Sequence, residues 1–192
     1  MIQTASAEQA WWGVAGPENI WGLGGGGVDD CLEAIGWAID GLTPGSRVLD
    51  LGCGPGRLTI PLAHARPALD FIGLDVRDYS QDPAPNVRWV LGDGRIIPTS
   101  IGRLDAAYSI ALLQHLPHDA TRNYLIQLAL RLCPGGRIVL QHVLGDEDSF
   151  LSHQIHEPDL VAMCEDSDLR VVSIVSGLLH FQWVWVYAER RA

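Results

Sequence analysis

The stretch RVLDLGCGPGRLTI (residues 47–60) constrains the fold of this chain more than any other. A short apolar run breaks into alternating glycines, and the sequence then returns to a helix-compatible pattern. Glycine accepts positive φ and lets the backbone approach a bound group closely, so strand, glycine loop and helix in this order are typical of an α/β ligand site. The stretch therefore predicts a ligand site beyond the end of a first buried strand.

Strand-like and helix-like segments alternate along the rest of the chain, which predicts a parallel sheet with helices on both faces. Pro61 leaves open where the helix after the glycine loop begins. The last segment alternates the aromatic residues Phe181, Trp183, Trp185 and Tyr187, as a half-buried antiparallel strand would. The predicted strands are 47–52, 71–76, 87–92, 104–110, 137–143, 169–176 and 178–189, and the predicted helices are 29–40, 57–66, 119–132 and 157–165.

Length and composition indicate one domain. The chain has 192 residues, of which 47% are hydrophobic, enough for a sizeable core. We expect a helical or lid segment over residues 1–45 and a ligand-binding core over 46–192. No apolar stretch approaches the roughly 20 residues of a membrane span, and the first residues lack the pattern of a secretory signal. We therefore expect a cytoplasmic protein without a membrane partner.

Charge excludes several kinds of chemistry. The net charge is −10 and the 13 basic residues are all arginine, so a phosphate-loop lysine and Schiff-base lysine chemistry are excluded. No basic stripe is visible, which disfavours nucleic-acid partners. Cysteines do not form a CxxC pair, and the histidines and acids between residues 142 and 156 lack a recognisable ligand spacing, so we predict no metal site.

The glycine loop and two acids narrow the ligand to an adenosine compound. Arg57 stands where a dinucleotide fingerprint needs its last glycine, which disfavours a nicotinamide or flavin cofactor. Asp75 follows the second strand, roughly 20 residues on, where a carboxylate can accept from ribose hydroxyls. Asp93 follows the third strand and could accept from an adenine amino group. The alternative for both acids is a solvated turn residue.

Five segments together resemble the motifs of the class I S-adenosylmethionine-dependent methyltransferases. They are VLDLGCGPG, GLD, GD, LDAAYSIALLQHLP and LCPGGRIVLQ, in the order and spacing of that family, and they cover roughly residues 47–142. The resemblance implies a Rossmann-like, doubly wound, seven-stranded and mostly parallel sheet with an antiparallel C-terminal strand. It also implies S-adenosylmethionine as the cofactor and S-adenosylhomocysteine as the product.

The resemblance further implies which residues hold the cofactor. Asp50 and the loop residues Gly52, Cys53, Gly54 and Gly56 would border its methionine part. Asp75, with Val76, would bind its ribose, and Asp93, with Gly94, would bind its adenine. The backbone of Ile110 or Ala111, after the fourth strand, would hold the methionine amine.

Other residues are candidates for the methyl-acceptor side. His115 follows the fourth strand, where it could line the acceptor site, act as a general base or cap the next helix. His142 ends the fifth strand and has either a site or a structural role. The tryptophans of the N-terminal segment could form a lid that excludes water or could pack on the sheet edge. These tryptophans are Trp11, Trp12 and Trp21.

A small-molecule methyltransferase is the function that these observations favour. Alternatives are a non-catalytic S-adenosylmethionine-binding module or partner subunit and a protein or RNA methyltransferase. A nucleotide-dependent oxidoreductase is a third alternative, which the missing third glycine disfavours. The fourth strand is followed by SIAL rather than by the Asp/Asn-Pro-Pro-aromatic motif of amino-directed DNA methyltransferases. Cys133–Pro134 reverses the Pro-Cys order of cytosine-C5 enzymes. The acceptor atom and the oligomeric state stay open.

Overall fold

The computed structural model describes residues 28–79, 84–146, 152–176 and 183–192. Trp11, Trp12 and Trp21 lie outside the described residues, as does Phe181, so the predicted lid stays a prediction. In the described part of the chain, no helix is long and apolar enough to cross a membrane.

Seven strands lie in the described part of the chain, namely β1 (Arg47–Leu51), β2 (Asp70–Asp75), β3 (Val87–Leu91), β4 (Leu104–Ser109), β5 (Leu132–Val143), β6 (Leu169–Ser176) and β7 (Trp183–Arg190). They form one sheet in the order β3-β2-β1-β4-β5-β7-β6. β7 is antiparallel to both of its neighbours, whereas the other pairings, from β3 through to β5, are parallel. This confirms the predicted doubly wound, mostly parallel sheet with an antiparallel C-terminal strand.

Helices cover both faces of the sheet because successive strand residues point to opposite sides. In β1, Val48 packs with the helices on one face, and Leu49 and Leu51 pack with those on the other. The first face carries α1 (Val28–Ile39) and α2 (Thr59–Ala65), and the second carries α3 (His118–Arg131) and α4 (Glu157–Glu165).

The helix after the glycine loop starts later than the residues 57–66 that the sequence predicted. It begins at Thr59, which leaves Pro61 in its first turn. Proline is tolerated there because a first-turn nitrogen has no intrahelical partner to lose, whereas a start at Arg57 would place the ring deeper in the helix.

The C-terminal strand is more deeply buried than a half-buried strand would be. β7 lies between β5 and β6, and its Val184, Val186 and Ala188 are buried on one face while Trp185 is buried on the other. The aromatic alternation correctly indicated a strand, but the neighbours that cover both of its faces come from other parts of the chain. β5 begins at Leu132 and not at the predicted residue 137, so half-buried Cys133 lies in an irregular start of this strand.

The strand order reverses between β1 and β4, which lie side by side although β2 and β3 separate them in sequence. Loops leave the carboxyl ends of these strands in opposite directions, so a crevice opens there. The glycine loop after β1 lies at this position.

Candidate functional site

At three positions of the glycine loop, any residue other than glycine would strain the backbone. Gly52, Gly54 and Gly56 have φ values of 81°, 51° and 82°, the left-handed region that favours glycine. A Cβ on Gly52 would lie 2.8 Å from Leu112, and one on Gly56 would lie 2.5 Å from the ring of Trp89. Glycine is therefore favoured at all three positions by the backbone conformation. At Gly52 and Gly56 it is favoured also by close packing, against the loop after β4 and against β3 respectively.

Asp75 ties the end of β2 to the glycine loop. Its Oδ2 accepts a hydrogen bond from the Gly54 amide at 2.9 Å, and its Oδ1 accepts one from the Arg77 amide at 3.1 Å. Each carboxylate oxygen has more than one lone-pair site, so these bonds leave capacity for two further donors. The carboxylate is half-buried and borders the crevice.

Asp93 has a structural task as well as a place in the site. Its Oδ1 accepts from the amides of Ile96 and Arg95 at 2.9 and 2.8 Å. These hydrogen bonds lower the pKa of the carboxyl below its ordinary value, because they favour the charged form. Oδ1 of Asp93 therefore stabilises a turn, which was the alternative role for this acid. A hydrogen bond from a ligand would be accepted by Oδ2.

Asp50 is a buried carboxyl directly before the loop. It is 3% exposed, and the hydroxyl of Thr59 donates to its Oδ2 at 2.6 Å. Burial raises its pKa to about 7, and the charge of Asp75 adds to this shift. The group therefore titrates close to neutral pH. Thr59 was not among the residues predicted for the site, although it stands at the start of the helix after the loop, from where its hydroxyl reaches back to Asp50.

A cleft of about 460 Å³ lies at the carboxyl ends of β1, β2 and β3, a size suited to a small molecule. It brings together six of the residues predicted from the sequence. It also includes four residues that sequence reasoning missed. Arg95 and Ile96 directly follow Gly94, whereas Leu112 and Tyr124 come near the acids only in the folded chain. The six predicted residues are Gly52, Asp75, Val76, Asp93, Gly94 and His115.

The other predicted cofactor residues do not line this cleft. Asp50 lies beneath the loop, and Gly54 and Gly56 belong to the loop itself. Cys53 borders a second cavity of about 200 Å³, which shares Asp75 with the cleft. Burial raises the pKa of the Cys53 thiol well above its ordinary value, so the thiol stays protonated and is a poor nucleophile.

The segment after β4 contains a strained residue. Ala111 has a φ of 59°, which is uncommon for any residue but glycine. Its amide donates to Oε1 of Gln141 on β5 at 3.1 Å. Ile110 before it is 6% exposed. Gln141 therefore holds the turn at which the resemblance places a backbone contact to the methionine amine.

The two candidate histidines have different surroundings. His115 lines the cleft from a single 3₁₀ turn, Leu113–His115. The N-cap of α3 is Pro117, and no side chain caps that helix, so the capping interpretation of His115 is wrong. His142 is 1% exposed and does not line the cleft. Burial lowers its pKa to about 4, so it is neutral at physiological pH.

Comparison with known proteins agrees with this geometry. Residues 48–136 match the family model described as a methyltransferase domain. The matched residues contain the glycine loop and the acids after β2 and β3. They form a methyltransferase domain, in agreement with the resemblance to the class I S-adenosylmethionine-dependent methyltransferases.

Relatives and structural neighbours carry related names. A trans-aconitate 2-methyltransferase of Deinococcus radiodurans is 38% identical over 103 residues, 51% of this chain and 38% of that protein. A transposon-encoded 37.1 kDa protein of Streptomyces fradiae is 36% identical over 125 residues, 61% of this chain and 34% of that protein. The chain thus spans little more than a third of the length of these two relatives.

A solved structure confirms the fold. The 1,6-didemethyltoxoflavin-N1-methyltransferase of Burkholderia thailandensis, with bound 1,6-didemethyltoxoflavin and S-adenosylhomocysteine, superposes with a TM-score of 0.71. The match covers 91% of this chain and 82% of that one at 20% identity. At this identity the likeness establishes the shared fold.

Proposed function

We propose that this chain transfers a methyl group from S-adenosylmethionine to a small molecule. The observation that carries this proposal is the cleft, on which the glycine loop and the acids after β2 and β3 converge. When bound, the cofactor supplies an electrophilic methyl group on a sulfonium. The protein's part is to hold the two reactants in line and to exclude water.

In this proposal each part of the cofactor has its own partners. Asp75, with Val76 beside it, accepts from the ribose hydroxyls. Oδ2 of Asp93 accepts from the adenine amino group, and the Gly94 amide lies next to it. The loop Gly52–Gly56, which includes Cys53, passes along the methionine part, and the backbone of Ile110 or Ala111 holds the methionine amine above Asp50.

The remainder of the chain keeps the roles that the sequence indicated. We propose one domain, with a helical or lid segment over residues 1–45 and a cofactor-binding core over residues 46–192. The tryptophans of the first segment lie outside the described residues, so their roles as a lid or as packing on the sheet edge both stay predictions. His115 lies on the acceptor side of the cleft, whereas His142 has the structural role. The cytoplasmic location and the disfavoured nucleic-acid partners remain predictions from composition and charge.

Two experiments test the proposed function. Calorimetry should show binding of S-adenosylhomocysteine and none of NAD, because Arg57 occupies the position of the dinucleotide glycine. Release of S-adenosylhomocysteine should then be followed with fractionated small-molecule extracts as acceptors. Binding without turnover on any fraction would favour the non-catalytic module, and binding of NAD alone would overturn the assignment.

Cofactor affinity should depend on the ionisation of Asp50. The carboxyl has a pKa of about 7 in the unliganded protein, and the cationic methionine amine close to it would favour its ionised form. Binding below pH 7 therefore requires loss of a proton. We expect S-adenosylhomocysteine to bind about 10-fold more weakly at pH 6 than at pH 8, since one pH unit below the pKa corresponds to ~1.4 kcal/mol.

Calorimetry at both pH values, in buffers with different ionisation enthalpies, measures this proton release. Asp50→Asn is the matched control, because an amide oxygen still accepts from Thr59 but cannot titrate. Its affinity should be nearly the same at pH 6 and pH 8. Equal affinities of the unmodified protein at the two pH values would contradict the assignment of Asp50 to the amine.

A further inference from the structure

The turn after β4 has a backbone conformation that its sequence disfavours. Ala111 has a φ of 59°, in the left-handed region, where the Cβ of alanine comes too close to the following carbonyl oxygen. Such a conformation persists only where the surrounding structure holds it, and it is common at ligand sites. The next residue, Leu112, lines the cleft, and a Cβ on Gly52 would lie 2.8 Å from it. The turn therefore sets how the backbone after β4 meets the glycine loop.

Gln141 on β5 holds this turn with one hydrogen bond. Its Oε1 accepts from the Ala111 amide at 3.1 Å. A backbone amide can only donate, so the side-chain atom that faces it has to be the carbonyl oxygen, which fixes the orientation of the Gln141 amide. Gln141 is 0% exposed, so its Oε1 is shielded from water. Loss of this acceptor would leave the Ala111 amide without its partner in a conformation that is already unfavourable.

The sheet gives the Gln141 side chain a fixed place. Gln141 is paired with Trp185 on β7, and directly opposite residues of neighbouring strands share one face of the sheet. Trp185 is buried on the face that carries α1 and α2, and Ala111 packs against the same hydrophobic cluster. The acceptor for the Ala111 amide is therefore supplied by a strand that has neighbouring strands on both sides.

A second hydrogen bond holds the start of the same turn. The hydroxyl of Ser109, the last residue of β4, donates to the carbonyl of Leu51, the last residue of β1, at 2.9 Å. Both residues are buried. Ile110 and Ala111 thus lie between one hydrogen bond to β1 and one to β5, where the strand order reverses. Neither of these hydrogen bonds involves β2 or β3, whose acids face the adenosine part in the proposed function.

We infer that Gln141 is a positioning residue for the methionine end of the cofactor and acts through the backbone of Ala111. This inference rests on the proposed function, in which the backbone of Ile110 or Ala111 holds the methionine amine. When the Gln141 acceptor is removed, the left-handed conformation loses its support and the turn relaxes. The backbone contact to the amine is then misplaced, whereas the contacts of Asp75 and Asp93 to the adenosine part stay. Gln141 thereby contributes to the affinity only for ligands that carry the amino-acid end.

Two ligands that share the adenosine part separate this role from general packing. S-adenosylhomocysteine carries the amino-acid end, and 5′-methylthioadenosine lacks it. Gln141→Leu fills similar space without an acceptor. We expect this variant to bind S-adenosylhomocysteine about 10-fold more weakly, because the lost hydrogen bond and the strain at Ala111 both disfavour the bound conformation. Its affinity for 5′-methylthioadenosine should stay within a factor of about two.

Calorimetry with both ligands measures these losses, and Asp75→Ala is the matched control. That variant should weaken the binding of both ligands, because both carry the ribose. Equal losses for the two ligands in Gln141→Leu would overturn the inference, since they would show a general packing role. Failure of S-adenosylhomocysteine to bind the unmodified protein would instead overturn the proposed function.

Ala111→Gly provides a rescue. Glycine adopts positive φ readily, so the turn then needs less support from β5. With glycine at this position, Gln141→Leu should weaken the binding of S-adenosylhomocysteine only about 3-fold. A loss of the same size with alanine and with glycine would count against the inference.

Amide hydrogen exchange, followed by NMR on the unliganded full chain, tests the hydrogen bond itself. The Ala111 amide should exchange slowly in the unmodified protein and at least about 10-fold faster in Gln141→Leu, because the turn opens more often. Unchanged exchange of this amide in the variant would show that Gln141 does not hold the turn. This measurement is independent of ligand binding, so it separates the role of Gln141 from the proposed function.

Discussion

Asp75→Ala should weaken the binding of S-adenosylhomocysteine about 100-fold. In the proposed function the carboxylate accepts from two ribose hydroxyls, and two charge-assisted hydrogen bonds of ~1.5 kcal/mol each sum to ~3 kcal/mol. The variant also loses the bond from the Gly54 amide, which holds the loop against β2. Calorimetric titration of the unmodified and variant proteins measures the loss directly.

Asp70→Ala is the matched control for this substitution. Asp70 is an exposed aspartate at the opposite end of the same strand, far from the cleft-facing carboxyl end. Its replacement should leave the affinity within a factor of about two, since exposed substitutions usually change little. Undiminished affinity in Asp75→Ala, or equal losses in both variants, would show that Asp75 does not bind the cofactor.

Gly56→Ala should lower the free energy of unfolding by about 3 kcal/mol. A left-handed conformation is unfavourable for alanine by roughly 1–2 kcal/mol, and Gly56 has a φ of 82°. The new methyl group would also lie 2.5 Å from the Trp89 ring, and such overpacking costs about 1–3 kcal/mol. Urea unfolding followed by circular dichroism measures the change.

Gly54→Ala separates the backbone contribution from the steric one. Gly54 also has positive φ, but nothing lies within 4 Å of its Cβ position. We expect a loss of only about 1 kcal/mol. A double-mutant cycle of Gly56→Ala with Trp89→Leu should show a favourable coupling of about 1 kcal/mol or more. Equal losses at both glycines and no coupling to Trp89 would mean that the ring does not restrict the loop.

Much of the site could be read from the sequence because its elements are local. Gly52, Gly54 and Gly56 follow a strand directly, and Asp75 and Asp93 end the two strands that come next. In a parallel sheet these ends meet at one edge, so chain order alone predicts that the acids lie near the loop. The cleft does bring Gly52, Asp75 and Asp93 together.

The supporting residues could not be found in this way. Trp89 is one aromatic residue in a strand, and nothing in its sequence context shows that it packs beneath Gly56. Thr59 and Gln141 are ordinary polar residues until the fold places them beside Asp50 and Ala111. Their roles depend on distances between atoms that the sequence does not contain.

From the sequence alone we could predict the order of strands and helices, the glycine loop and the acids at the strand ends, because hydrophobic periodicity and glycine spacing are properties of neighbouring residues. The fold was needed to decide the burial that brings the pKa of Asp50 close to neutral and the hydrogen bond that its carboxylate accepts from Thr59. Both depend on residues that lie near one another only after the sheet has formed, and burial and hydrogen bonding control which groups carry protons.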